Sequence, residues 1–249
     1  MAVYVFRVNS VNTDSRIDES YFICGITVTG MDEMQAARER HSVRKYTTEP
    51  LSEEHIKALN EAIAQVNSEA GLNARLVTDE PKGFGNLILK TIGFRNCVNY
   101  IAMIGPNDDS LNEKCGYYGE RLVLLAQSLG LRTCWALLCS KKQVEVADGE
   151  RFSIGISVGY GEDDGFQHKD KPVEEIADLT DAPEWFRKGI ECVMLAPSGR
   201  NKQPISFSQK DGKVSVHYKI GNLTRIDCGI AKYHFELGAG KDNFEWASE

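Results

Sequence analysis

The sequence predicts a globular α/β chain, and three observations carry that reading. Segments with apolar residues at helical spacing alternate with short apolar runs and period-two stretches of strand character. At 249 residues the chain can bury a full core as one α/β domain or two small ones. Its 42% hydrophobic and 26% charged content are those of an ordinary globular protein. The net charge of −7, with no run of basic residues, argues against a nucleic-acid partner. No stretch of about 18 uninterrupted apolar residues occurs, so no segment is expected to span a membrane.

Seven cysteines (Cys24, Cys97, Cys115, Cys134, Cys139, Cys192 and Cys228) form no C-x-x-C pair and leave an odd total. Most sit in apolar segments, where a free thiol behaves as a small buried hydrophobe. The pattern predicts a reducing, cytoplasmic setting without a disulfide framework or a zinc site.

Element by element, residues 1–30 stand apart. They lack the basic start and apolar block of a signal peptide. They read as an extra strand or as sequence upstream of the true start, and the second is favoured because "MDEMQAARERHSVRKY" opens a fresh helix at Met31. In "PLSEEHIKALNEAIAQV", Ser52 is an N-cap with acidic residues behind it, a strong helix start. "NARLVTD" is strand-like, and the apolar run "NYIAMIG" is short enough for a buried strand. "CGYYGERLVLLAQSLGL" is a long helix ended by Gly130. "RTCWALLC" and "FSIGISVGYG" read as further strands, and "HKDKP" as a basic turn.

A linker near Thr180 to Pro183 leads to "DAPEWFRKGIECVML", whose Trp185, Phe186, Ile190, Val193 and Leu195 keep helical spacing. "PISFSQKDGKVSVHYKI" alternates and turns at Asp211-Gly212, so it predicts a hairpin. "LTRIDCGIAKYHFELGAG" then reads as a second long helix. Helix, turn and strand thus recur in similar order. A shift of 130 lays Ser68 on Ser198, Gly71 on Asn201 and Val77 on Phe207, and each half has a long helix ending in Leu-Gly (Leu129-Gly130, Leu237-Gly238).

Two short stretches carry chemistry. "APSGRNKQP", Ala196 to Pro204, joins helix to strand and offers backbone N–H groups, a hydroxyl, an amide and two cations. In "RHSVRKY", an extended backbone would point Arg40, Ser42 and Arg44 the same way. Two guanidiniums and a hydroxyl on one side form a receptor for a phosphate dianion, through charge-assisted bonds of about 1.5–3 kcal/mol each. Lys169 and Lys171 in "HKDKP" have the same alternate spacing. Taken singly, each stretch is also what a solvated surface turn looks like.

Together, "RHSVRKY", "LGLRTCW", "SVGYG…HKDKP" and "APSGRNKQP" resemble the flavin-dependent nitroreductases over most of the chain beyond Met31. The family usually carries the A-P-S-x-x-N-x-Q-P pattern shortly after R-x-S-x-R. Here that place holds "AQVNSEAGLNARL", and the pattern comes more than a hundred residues later. The chain therefore resembles single-chain, internally duplicated bacterial members, whose second half takes the place of a partner subunit. The resemblance implies an α+β sandwich with a central, mostly antiparallel sheet flanked by helices. It divides the chain into an extension at 1–30, a first half at 31–178 and a shorter second half at 179–249.

By the same resemblance Arg40, Ser42 and Arg44 would grip an FMN phosphate, with Lys169 and Lys171 closing over it, and His41 would bond the ribityl chain or the phosphate. Pro197, Ser198, Asn201 and Gln203 would line the flavin from the other half, and Trp135, Ala136 and Leu137 would face its ring. Arg200 and Lys202 would steady negative charge on the reduced ring. NADH or NADPH would supply hydride, and a nitroaromatic, quinone or similar small molecule would accept electrons, with the cofactor carrying the redox chemistry. The chain would work as a monomer with pseudo-dimeric halves. An FMN carrier or sensor, or a cofactor-free scaffold, remains the alternative.

Overall fold

Local chemistry sets the element boundaries in the computed structural model, which describes residues 20–23, 26–29, 31–219 and 221–247. The expectation for residues 1–30 falls largely outside these. Of that segment only the backbones of β1 (Ser20–Ile23) and β2 (Ile26–Thr29) are described, paired antiparallel as a separate two-stranded sheet.

In the first half, α1 (Glu33–Glu39) starts where Asp32 accepts the Gln35 N–H at 2.7 Å, and runs out into extended backbone at Arg40. Ser52 caps α2 (Glu53–Ala70) as expected, accepting the His55 N–H at 3.1 Å, and Gly71 ends it at φ +67°. There follow β3 (Arg75–Val77), the short α3 (Leu87–Thr91), β4 (Tyr100–Pro106), α4 (Leu111–Ser128), β5 (Arg132–Ala136) and β6 (Glu150–Gly159). The strands form one sheet in the order β3-β4-β6-β5, with every neighbouring pair antiparallel.

The central strand β4 shows why the run "YIAMI" is apolar throughout. Its Ile101 and Met103 join Leu59, Ile63 and Leu122 under α2 and α4. Its Tyr100, Ala102 and Ile104 join Phe84, Leu89 and Phe94 on the opposite face.

The second half holds α5 (Glu184–Val193), β7 (Ser206–Lys210), β8 (Lys213–His217), α6 (Asn222–Ala239) and β9 (Glu245–Trp246). The hairpin turn falls at Asp211 and Gly212, both with positive φ, as a two-residue turn of this type requires. Phe186, Phe207 and Phe235 fill a separate aromatic core.

The halves meet along α4 and α6. A Cβ at Gly116 would strike the Ile226 carbonyl, and one at Gly229 would strike the Glu113 carbonyl. The two contacts are reciprocal: Gly116 to Gly229 and Glu113 to Ile226 are each a shift of 113 residues. The same shift lays Cys115-Gly116 on Cys228-Gly229 and carries Tyr100, the start of β4, onto Lys213, the start of β8.

Three sequence expectations need correction. The strand in "RTCWALLC" stops at Ala136, because the Cys139 N–H closes a turn onto the Ala136 carbonyl at 3.3 Å. Leu137 therefore lies outside the strand. Gly238 does not end α6; a Cβ there would meet the Lys188 carbonyl, and the helix runs on to Gly240 at φ +77°. Ser68 lies inside α2 while Ser198 is extended, so the 130-residue shift does not superpose their backbones.

Candidate functional site

The extended segment after α1 lies along the outer edge of β5. The Val43 N–H donates to the Thr133 carbonyl at 3.0 Å, and Ser42 bridges Thr133. Arg40, Ser42 and Arg44 all surround the buried Cys134, as the period of two predicts. Burial pushes that thiol's pKa up, while Arg44, Arg40 and Ser42 oppose the shift.

The loop that carries "HKDKP" closes over this segment. Gly165, at φ +74°, leaves only 2.9 Å between a notional Cβ and the His41 Cβ, so a side chain there would push the loop off. His168 Nε2 lies 3.1 Å from the Met194 carbonyl. Lys169 and Lys171 are then tied to the second half through backbone. Asn201 Nδ2 donates to the Lys169 carbonyl at 2.7 Å, and the Lys171 N–H donates to Gln203 Oε1 at 2.7 Å.

The turn "SGRNKQ" is built under strain. Seven described non-glycine residues have positive φ, and Arg200, Asn201 and Gln203 are three of them. Arg200 and Gln203 are the only two of the seven that are neither Asn nor Asp, the residues that tolerate this region. Ser198 Oγ accepts the Gln203 N–H at 2.9 Å, and Asp227 of α6 accepts the Gly199 N–H at 2.9 Å. Burial raises the Asp227 carboxyl to about 6, although the bond from Gly199 pulls the other way. Pro197, Ser198 and Gln203 line a small pocket with Ile176, Met194 and Asp227.

Other predicted residues are placed less openly. Arg40 is 4% exposed, with Nε 3.8 Å from Glu120 Oε1 and Nη2 3.5 Å from the Leu195 carbonyl; Nε has no hydrogen-bond partner. The Arg44 guanidinium lies 5.9 Å over the Phe94 ring. Trp135 turns its indole onto α4 at Gly119 and donates to Glu120 Oε2 at 3.0 Å. Ala136 is buried and Leu137 exposed. Lys169, Arg200, Asn201 and Lys202 are exposed, and Lys171 pairs with Glu175 at 3.3 Å.

Sequence reasoning missed the buried network beneath the site. Glu120, fully buried, faces Arg40, Trp135 and His234, with His234 Nε2 at 3.0 Å. His234 Nδ1 lies 3.2 Å from the Cys192 carbonyl. Burial alone would lower the His234 pKa, but hydrogen bonds to Cys192 and Glu120 hold it up at about 9. The adjacent charges Glu120 and Arg121 at the head of the apolar run "LVLLA" were the available signal.

The cations gathered here mark the site's electrostatics. The His41 pKa is lowered first by desolvation, then by Arg40, His168 and Arg132, while Asp164 opposes the shift. Arg132 is paired with Asp164 at 2.6 Å and His168 with Asp170 at 3.0 Å. Ser42, Arg44 and Lys169, beside the strained turn, are therefore the groups that fit an anionic phosphate ester such as FMN.

Comparison with known proteins follows this geometry. A profile of the family described as "Putative TM nitroreductase" matches residues 32–239. Among solved structures the chain is similar to a "putative nitroreductase" of Thermotoga maritima, at 22% identity over 84% of this chain and 83% of that one, with a TM-score of 0.57. It is also similar to a "putative nitroreductase in complex with FMN" of Exiguobacterium sibiricum, at 19% identity over 60% and 98% of the chains, TM-score 0.49. One from Desulfovibrio desulfuricans, likewise "in complex with FMN", gives 19%, 59% and 95%, TM-score 0.48. No curated protein matches.

Proposed function

Since the chain belongs to the family described as "Putative TM nitroreductase", it is a flavin-dependent oxidoreductase, and we propose that its cofactor is FMN. The reductant on this reading is NADH or NADPH, and the acceptor a nitroaromatic, quinone or similar small molecule. One observation carries it. Segments from residues 41–44, 165–171 and 198–203, far apart in sequence, close on one another around a group of cations.

Bound flavin would supply two-electron chemistry. The chain's own residues do the rest. Ser42 and Arg44 hold the phosphate end, with Lys169 and Lys171 fixed over it by Asn201 and Gln203. Pro197 and Ser198 form the facing wall, and Arg200 and Lys202 oppose negative charge near the ring. Arg40 and Trp135 act from beneath, through Glu120. His41 stays neutral more readily than an ordinary histidine and can bond the phosphate or the ribityl chain.

The reading extends to assembly. Both walls come from one chain, and the reciprocal α4–α6 contact has the form of a two-fold interface. We infer one FMN per chain, held by a monomer in which residues 179–249 take the place of a partner subunit. Titration of the purified protein should show much tighter binding of FMN than of riboflavin, and Arg44→Ala should remove most of the difference. Equal affinity for the two flavins sinks the phosphate assignment. NADPH should then bleach the bound flavin; a yellow protein that no nicotinamide reduces is a carrier.

A further inference from the structure

We propose that the face formed by α3 and the turn after β5 docks on an anionic lipid surface. Of the seven large hydrophobic side chains exposed among the described residues, five lie here: Leu87 (78% exposed), Ile88 (60%), Ile92 (54%), Leu137 (47%) and Leu138 (45%). They form one patch because the two segments are bonded together. Asn86 Nδ2 donates to the Leu138 carbonyl at 2.8 Å, and the Ser140 N–H to the Gly83 carbonyl at 2.7 Å. Beneath them Phe84, Leu89 and Phe94 anchor α3 in the core, so its outer leucine and isoleucines are held outward. A patch this apolar on a water-facing surface marks an interaction site.

Charge around the patch selects the partner. Lys82, Lys90, Lys141 and Lys142 are exposed around it, and none forms an ion pair among the described residues. Glu80 is turned onto the Lys82 N–H at 2.8 Å, and Arg95 is matched by Glu162 at 3.0 Å. A local cluster of unpaired lysines on a chain of net charge −7 calls for an anionic counterpart. A second copy is disfavoured, because a two-fold contact through this patch would set these lysines against their own copies. Protruding aliphatic side chains ringed by lysines suit a bilayer interface, where the apolar tips enter the headgroup layer and the ammonium groups remain among the phosphates. The patch shares Leu137 with the expected flavin wall, but none of the cationic site residues takes part, and Leu87, Ile88 and Ile92 on α3 lie outside that wall.

The test is sedimentation of the full chain with vesicles of phosphatidylcholine alone, or with about a third phosphatidylserine, near 0.1 M salt. Binding should appear with the anionic vesicles and weaken as salt rises. Lys141→Glu/Lys142→Glu should lower the vesicle affinity by at least about fivefold per lysine, and Leu87→Glu/Ile88→Glu should abolish binding. All four positions are exposed, so melting temperature and flavin content should not change. Binding that ignores phosphatidylserine, or that survives Leu87→Glu/Ile88→Glu, overturns the proposal. So does a concentration-dependent dimer that the leucine–isoleucine variant dissolves.

Discussion

Replacing Glu120 with alanine gives the sharpest test of how the halves are held together. Its carboxylate is fully buried and serves three partners from three elements: Arg40 after α1, Trp135 on β5 and His234 on α6. Removing it leaves the Arg40 guanidinium in the interior without its carboxylate, and an arginine cannot escape by losing its proton. Breaking a buried charge group by deleting one member costs about 3–5 kcal/mol. For a chain of this size that corresponds to a fall in melting temperature of roughly 6–20 °C.

The pH dependence makes the test specific. His234 is held at about 9, above its ordinary 6.5, so its pairing contributes stability that is complete below pH 6.5 and lost as pH rises through 9. The full contribution is about 3 kcal/mol, as an order of magnitude. Thermal unfolding followed by circular dichroism from pH 6 to 9.5 should show a wide gap between wild type and Glu120→Ala at the acid end. The gap should narrow toward pH 9.5. A melting temperature within 2 °C of wild type at pH 6.5, or a gap that stays constant with pH, would refute the account of the network.

Other perturbations have defined outcomes. Gly229→Ala gains about 1 kcal/mol of helix propensity but drives a methyl into the Glu113 carbonyl; overpacking costs about 1–3 kcal/mol, so calorimetry should show net destabilisation. An unchanged or higher melting temperature would mean that the seam is looser than described. The Asp227 carboxyl is raised to about 6, so the folded state holds its proton longer and stability falls as pH rises from about 4 to 6. Asp227→Asn keeps an acceptor for Gly199 and should flatten that limb of a denaturant-midpoint profile; a slope identical to wild type is the contrary result. A chain beginning at Met31 should keep its melting temperature and flavin affinity, because β1 and β2 pair only with each other among the described strands. A loss of several degrees counts against this.

What the sequence made legible follows from where the information is local. Ser52, Gly130 and the Asp211-Gly212 turn act through their own neighbours, and each stands where its chemistry placed it. The cationic segments were legible because charge and small polar residues stand out against apolar elements. The Glu120–His234 pair was not, since the partners lie 114 residues apart on helices whose remaining faces read as core. Leu137-Leu138 read as strand because propensity does not reveal where sheet pairing stops. Gly238 read as a terminator because a glycine admits two explanations, left-handed backbone or close approach, and only packing separates them.

The reciprocal seam between α4 and α6 has a consequence for how the site can evolve. A homodimer must display every residue twice, once on each side of its axis, so a substitution that benefits one site alters the other as well. Under the shift of 113, Asp227 beneath the strained turn corresponds to Lys114, and Glu120 corresponds to Tyr233. Opposite charges thus occupy equivalent places, a combination that no symmetric pair of identical chains can hold. On the proposed single-chain reading, joining the halves covalently lifts that constraint. One side can refine a binding site while its counterpart drifts or takes up another task, and the glycine contacts keep both in register.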